Sequence, residues 1–344
     1  MAGDEAVLAD SSPLVPSATG NTLVVIVNYN GGAALCNCVA SIAAQNARAT
    51  VVVVDNGSTD GSDALVRASF PDVTVSHAPT NLGFGPAVNH AVAAYAGDPI
   101  VILNPDVSLH EGCLEALTKQ LDRRPGVVGP VLHVHASDSE EAGWTVNHTG
   151  MPTVQAPGKP PLYVPGCVLA TNRTVFERVA GFDERYFLFV EDVEYCWRAL
   201  IAGYEVSIAP GATADHVGGG TAEGGYLRPG TRYRTSDLRV ALRERNNVAL
   251  LLSCSPWWWS PVLVPVLIGH ALAIAAGAAV MGRRRLATEI VRGIVWNVRQ
   301  APATIRRRRS LARTRSGCRN ARARLTTGAL VVRTMRAHGW PDVR

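Results

Sequence analysis

Leu23-Val-Val-Ile-Val-Asn28, Val51-Val-Val-Val-Asp55 and Ile100-Val-Ile-Leu-Asn-Pro-Asp106 decide the fold class of this chain. Each is a short apolar run that stops at Asn or Asp, and such β-branched runs read as buried strands. The stretches between them read differently. Gly31-Gly32 breaks the first run, and residues 33–45 can form a helix. Asn56-Gly57 ends the second, and residues 61–69 read as another helix. Residues 73–78 give a further strand, followed by the loop Asn81-Leu-Gly-Phe-Gly85 and a helix over residues 86–95. Strands and helices alternating at this spacing imply βαβ units, hence a mostly parallel sheet with helices on both faces. Ligands bind such sheets beyond the carboxyl ends of the strands. Asn28, Asp55, Asn104 and Asp106 all fall there.

Further on, residues 133–162 are polar and rich in Gly and Pro, and read as a loop or lid. Residues 163–171 read as extended, 190–202 as a helix carrying Glu191, Asp192, Glu194 and Arg198, and 204–209 as a late strand. His216-Val-Gly-Gly-Gly opens a loop. Residues 1–21, rich in Ala, Ser and Pro, are expected to be a disordered leader without the basic-then-apolar pattern of a signal peptide.

The 344 residues carry 33 Lys and Arg against 28 Asp and Glu, for a net charge of +5. The balance is uneven: from Arg283 onward there are 17 arginines and two acids, so the preceding body is acidic. A basic tail on an acidic body suggests an anionic surface as partner. The seven cysteines are odd in number and form no Cys-x-x-Cys pair, which excludes a disulfide framework and a zinc finger and fits a reducing compartment. No Gly-x-Gly-x-x-Gly fingerprint or Walker-type loop is present, so a dinucleotide cofactor is disfavoured. No aromatic-interleaved motif supports nucleic-acid binding, and none is expected.

The residue types at the strand ends permit sugar transfer from a nucleotide. Asp106 can hold a hard divalent cation against phosphate oxygens. The competing reading of Asn104-Pro105-Asp106 is an ordinary turn. Asp192, crowded by Glu191, suits a general base working near neutrality, because neighbouring carboxylates raise each other's pKa. The competing reading is a helix N-terminus decorated with acids. His216 could be a further ligand or a structural histidine. Asp55 could meet a nucleobase or ribose, and Asn81 and Gly83 lie where the backbone can approach a ligand closely.

In order and spacing, several segments resemble glycosyltransferase family 2, the inverting GT-A enzymes, in its bacterial rhamnosyltransferase-like branch. They are Val27-Asn-Tyr-Asn30, Val54-Asp-Asn-Gly-Ser58, Asn81-Leu-Gly-Phe-Gly85, Leu103-Asn-Pro-Asp106, Gly166-Cys167, Gly181-Phe-Asp-Glu184 and Phe189-Val-Glu-Asp192. Arg198, His216 and Arg245-Asn246 extend the match over residues 22–250. The resemblance implies a GT-A domain over residues 22–245 that uses Mg²⁺ or Mn²⁺. Asn28, Tyr29 and Asp55 would contact the nucleoside, and Asn30 would belong to the donor-binding set. Asn56, Ser58, Asn81, Gly83 and Asn104 would line the donor site. Asp106 would hold the metal with His216, Asp192 would be the base, and Glu191 would shape the acceptor site. Asn104 departs from the commoner Asp-x-Asp pattern and makes this a one-carboxylate version. The implied donor is dTDP-rhamnose and the implied acceptor a polyprenyl-diphosphate-linked saccharide. The alternatives are another donor, hexosyl or galactofuranosyl, or a catalytically silent binding protein of the same fold.

Residues 246–282 contain no Asp, Glu, Lys or Arg, and include Trp257-Trp258-Trp259 and the apolar stretch 262–281. Twenty helical residues measure about 30 Å, a bilayer core. A single span would place the arginines opposite the cytoplasmic body, against the positive-inside tendency. The expectation is therefore a helical region over residues 246–300 that lies in or re-enters the cytoplasmic face of the plasma membrane, followed by a basic tail over 301–344. Pro261 and Pro265 are expected to interrupt its start. Leu286, Ile290, Ile294 and Val298 recur at helical spacing beside Arg292 and Arg299, an amphipathic pattern. A buried helix packed on the catalytic domain is the competing arrangement.

Overall fold

The computed structural model describes residues 21–135, 138–148, 150–156, 158–218, 234–311, 313–325 and 342–343. The leader up to residue 20, most of the loop after His216 and the end of the tail lie outside the described residues.

The first half follows the expected alternation. β1 (Thr22–Asn28), α1 (Gly32–Ala43), β2 (Ala49–Asp55), α2 (Ser62–Ser69), β3 (Thr74–His77), α3 (Phe84–Ala94) and β4 (Ile100–Leu103) run in order. The chain continues with β5 (Val107–Leu109), α4 (Cys113–Arg123) and β6 (Gly126–Val134). Residues 139–154 are not simply a loop: they hold β7 (Ser139–Glu141) and a small hairpin of β8 (Trp144–Val146) and β9 (Pro152–Val154). Then come β10 (Val168–Thr171), α5 (Arg173–Arg178), α6 (Glu191–Ile201) and β11 (Glu205–His216). β11 is longer than the apolar run suggested, because pairing with β6 and β5 extends it past a register shift between Ile208 and Thr213.

The sheet order is β3-β2-β1-β4-β10-β6-β11-β5, with β7 on β6. β1 to β4 are parallel, and β10 inserts antiparallel between β4 and β6. The sheet is thus mixed but mostly parallel. It is buried on both faces, which is why β1 is apolar at almost every position. Successive side chains alternate between two cores. Val25, Val27, Ile100 and Ile102 meet α3 and α6 through Ala87, Val88 and Trp197. Val24, Ile26, Val101 and Leu103 meet α1 and α4 through Leu35, Val39, Leu114 and Leu117.

The C-terminal region is helical: α7 (Asp237–Cys254), α8 (Ser260–Val280), α9 (Arg284–Ser310) and α10 (Arg315–Ala323). α7 runs unbroken through residues 245–246, where the composition changes, and α9 runs through 300–301. Pro261 sits in the first turn of α8, where its missing N–H costs nothing, and Pro265 follows without breaking the helix. Within Trp257–Val280 an 18-residue apolar window has a mean hydropathy of 2.1, yet only 22% of that window is buried. One edge of α8, Ala271, Ala275 and Ala278, packs with Ala241, Leu286 and Ile290. The periodic residues Leu286 and Ile290 therefore face α7 and α8, not an outer surface.

Arg198 is 2% exposed beneath α6 and pairs with fully buried Glu194 at 2.7 Å. Its guanidinium also donates to the carbonyls of Val179 and Gly181. One fork thus pairs with a buried carboxylate, through a hydrogen bond to its Oε1, and bonds two carbonyls, and this is a polar centre of the core. Arg198→Leu strands the Glu194 carboxylate and both carbonyls. It is expected to cost about 3–5 kcal/mol in urea unfolding, well beyond the cost of replacing both charges together by apolar residues.

Candidate active site

Strand register brings the candidate residues to one edge. Asn28 pairs with Asp55 across β1 and β2, and Ile26 with Leu103 across β1 and β4. β10 runs the other way, so its start, not its end, lies at this edge, where the N–H of Asn104 donates to the Cys167 carbonyl at 3.0 Å. At the far side β11 ends at His216, which pairs with Val107. Asp106 and His216, far apart in the chain, are thus neighbours.

Asn28 and Asp55 form a buried floor at this edge. The Asn28 amide donates to Asp55 Oδ1 at 2.9 Å, Ser62 Oγ at 2.8 Å and Ser58 Oγ at 3.1 Å, and its Oδ1 accepts from the Gly31 N–H. Its side chain is spent within the protein, so it shapes the site from beneath. Ser58 Oγ also accepts from the Asn30 N–H, and Asn30 Oδ1 from the Thr59 N–H. Tyr29, 37% exposed, stands at the rim. Asn56 is buried and clamps the next loop: its Nδ2 donates to Asn81 Oδ1 and the Gly83 carbonyl, and its Oδ1 accepts from the Leu82 N–H. Gly83 has φ +94°, and a Cβ there would stand 2.5 Å from the Phe187 carbonyl oxygen. Only glycine allows this approach.

At the other side of this edge Asp106 Oδ2 and His216 Nε2 stand 3.4 Å apart, both largely buried. Burial works to raise the Asp106 carboxyl, but the His216 hydrogen bond and charge, with nearby N–H groups, hold it below the usual carboxylate range. Burial works to lower the His216 imidazole, but Cys167 and Asp106 beside it lift it to about 11. Among the described residues no cluster of three His, Cys, Asp or Glu could hold an ion. Asp106 could hold a hard cation completed by phosphate oxygens and water, and His216 could join it only by giving up the proton it shares with Asp106. Asn104 adds its backbone to this corner through Cys167 and the Cys38 thiol.

Glu191 and Asp192 open α6. Asp192 Oδ2 accepts from the Gly166 N–H at 3.0 Å and its Oδ1 from the Val193 N–H at 2.8 Å, while part of its surface stays open. Gly166 precedes Cys167, so this bond ties the acid pair to the Asp106–His216 corner. Burial and the Asp192 charge push the Glu191 carboxyl well up, and its Oε2 is buried without a hydrogen-bond partner. Burial also raises Asp192, opposed by its backbone N–H bonds and by Arg243. Both carboxyls are therefore harder to ionise than free ones, burial being the largest cause for each.

The loop before this pair is strained. Phe187, Phe189 and Val190 have φ of 63°, 67° and 73°. Asn246 on α7 holds it by donating to the carbonyls of Tyr186, Leu188 and Phe189, and Arg245 donates to the Tyr186 carbonyl at 2.6 Å. Sequence reading missed this function of Arg245-Asn246. Their signal was a resemblance without a role. Gly181-Phe-Asp-Glu184 likewise serves as scaffold: Asn89 brackets Phe182, and Phe182 stacks on Tyr195 at 4.7 Å.

The family model "Glycosyl transferase family 2" matches residues 23–179. The N-acetylglucosaminyl-diphospho-decaprenol L-rhamnosyltransferase of Mycobacterium tuberculosis is 30% identical, over 56% of this chain and 75% of that protein. Among solved structures, GalNAc-T7 with UDP, GalNAc and Mn²⁺ is similar with a TM-score of 0.56 at 15% identity, covering 69% of this chain and 48% of that one. Residues 1–349 of S. aureus TarS in complex with UDP-GlcNAc give 0.52 at 18% identity, covering 88% of each chain. The two structures establish the GT-A fold. With the family model and a relative covered over three quarters of its length, they lead to one conclusion: this chain belongs to glycosyltransferase family 2.

Proposed function

We propose that the chain transfers rhamnose, from dTDP-rhamnose, with inversion to a polyprenyl-diphosphate-linked saccharide at the cytoplasmic face of the plasma membrane. The observation that carries catalysis is the Gly166 N–H bond to Asp192, which fixes a raised, partly open carboxylate beside the Asp106–His216 corner. The sugar and acceptor are supported by the name of the M. tuberculosis relative.

Asp192 accepts the proton of the acceptor hydroxyl as that oxygen attacks the anomeric carbon, and the bond to the nucleoside diphosphate breaks on the opposite side. Its two backbone hydrogen bonds aim it, and Glu191, protonated, adds no competing charge. Asp106 and His216 would hold Mg²⁺ or Mn²⁺, which when bound neutralises the charge of the diphosphate. Asn56, Asn81 and Gly83 hold the donor loop against the floor formed by Asn28 and Asp55.

Radiolabelled transfer from a panel of nucleotide sugars to a polyprenyl-diphosphate-linked GlcNAc acceptor tests the substrate reading. Rhamnose should dominate, and faster transfer of a hexose or galactofuranose would displace it. Asp192→Asn should lower turnover by about 10²–10⁴-fold with the fold intact, whereas near-normal turnover would remove Asp192 from the role. Chelation of divalent ions should stop transfer, and Asp106→Asn should raise the ion concentration needed to restore it.

The acid pair also sets a pH dependence of stability. Native Glu191 retains its proton where the unfolded chain has lost it, so the native state binds more protons and stability falls as pH rises. The loss begins in the ordinary carboxylate range and continues to the raised value. Glu191→Gln should flatten this fall in denaturant titrations. It should leave the acidic limb of the kcat/KM profile, set by Asp192, nearly in place.

A further inference from the structure

Two stripes of the C-terminal region face outward with nothing over them among the described residues. On α8 the stripe is Val262, Val266, Gly269, Ala273, Ala276 and Val280, all exposed. On α9 it is Val291, Val295, Val298 and Ile305, with Thr288 and Pro302 between them. These α9 residues lie opposite the buried Leu286, Ile290, Gly293 and Asn297. Arg285, Arg292, Arg299 and Arg306, spaced by seven, form a row along one edge of the α9 stripe. At the start of α8, Trp257 and Trp258 are 69% and 54% exposed, and at its end Val280 is 89% exposed.

We propose that these outward faces, with Trp257 and Trp258, dock on an anionic bilayer, α8 and α9 lying in the membrane plane. The proposal deepens the membrane location given above and rests on that reading, but not on the identity of the sugar. An apolar stripe edged by arginines, with tryptophans at one end, fits the boundary between acyl chains and anionic headgroups. A second copy of the chain would bring two arginine rows together, and like charges disfavour that.

The tethers of α8 and α9 favour lying on the membrane over crossing it. Arg283 binds Asp237 at 2.6 Å, tying the α8–α9 turn to the start of α7. Asn297 donates to the Arg245 carbonyl at 2.8 Å, and Arg308 to that of Leu252 at 2.8 Å, so α9 returns along α7. At the other end Trp259 packs against His148, with ring centres 5.0 Å apart. Both ends of α8 are thus held to the catalytic body. The same α7 carries Arg243, whose charge acts on Asp192. A docked hairpin would therefore hold the catalytic base close to the headgroup layer.

Co-sedimentation of the full chain with vesicles tests this, using phosphatidylcholine alone and phosphatidylcholine mixed with phosphatidylglycerol. The chain should pellet with the anionic vesicles and be released by alkaline carbonate. The fourfold variant Arg285→Ala, Arg292→Ala, Arg299→Ala, Arg306→Ala should bind them at least about tenfold more weakly. The pair Val295→Asp, Val298→Asp should lose binding, both variants keeping the melting temperature of the parent. Equal binding to neutral vesicles, or full binding by the arginine variant, would overturn the anionic surface. Retention through carbonate would replace it with a span. A lipid-free dimer dissolved by Val295→Asp, Val298→Asp, with vesicle binding unchanged, would assign the face to a second copy. Vesicle binding as expected from a chain that turns over no nucleotide sugar would keep the docking surface and reject the enzymatic reading instead.

Discussion

Asn246 supports the most costly backbone in the described structure. Phe187, Phe189 and Val190 all take left-handed φ values, and none is glycine. Each such residue costs on the order of 1–3 kcal/mol and persists only where its surroundings over-determine it. One side-chain amide supplies much of that determination, by donating to three carbonyls of the loop. On the opposite side the Phe84 N–H donates to the Phe187 carbonyl at 2.8 Å, an approach open only because residue 83 lacks a Cβ. The loop is thereby held between the donor side and α7, and it delivers Glu191 and Asp192 to the start of α6.

The chemistry follows from that delivery. A carboxylate serves as a base near neutrality only if it is kept partly desolvated yet ionised. Burial raises both members of the pair, and the two cannot both ionise cheaply. The N–H groups of Gly166 and Val193 donate to Asp192, while Glu191 Oε2 is buried with no hydrogen-bond partner among the described residues. The same segment, through Cys167, touches the Asp106–His216 corner. Asp192 and the Asp106–His216 corner are therefore linked by two consecutive residues just before one antiparallel strand.

The C-terminal helices are part of this arrangement. α7 supplies Asn246 and Arg245, and α9 reaches the catalytic body, where Arg307 lies 3.5 Å from Asp183 and Arg185 donates to Thr304. Gly293 lets α9 approach α7 so closely that an added Cβ would stand 3.1 Å from the Arg245 Cβ. The small side chains of α8 fill its inner edge and leave the outer face apolar and bare. A boundary drawn at residue 245 by composition cuts a helix that the active site needs.

The sequence by itself determined the strands of the first half and the edge at which they end. Leu23 to Asn28 and Val51 to Asp55 are short, and they are apolar almost throughout because both faces of a central parallel strand are buried. That property is local, so it can be read without knowing the partners. Residue type and spacing also marked Asp106, Asp192 and His216 as candidates. Each stayed open to a turn, a helix cap or a structural histidine, because those choices depend on neighbours far along the chain. β5, β6 and the extended β11 were not legible, since their pairing is non-local and interrupted by a register shift. The role of Asn246 was invisible for the same reason, as its partner Tyr186 lies 60 residues away. Only the tertiary structure set Asp106 against His216 and brought the Gly166 N–H to Asp192. Both outcomes depend on which backbone groups a fold brings within hydrogen-bond reach, and local residue preference does not specify that.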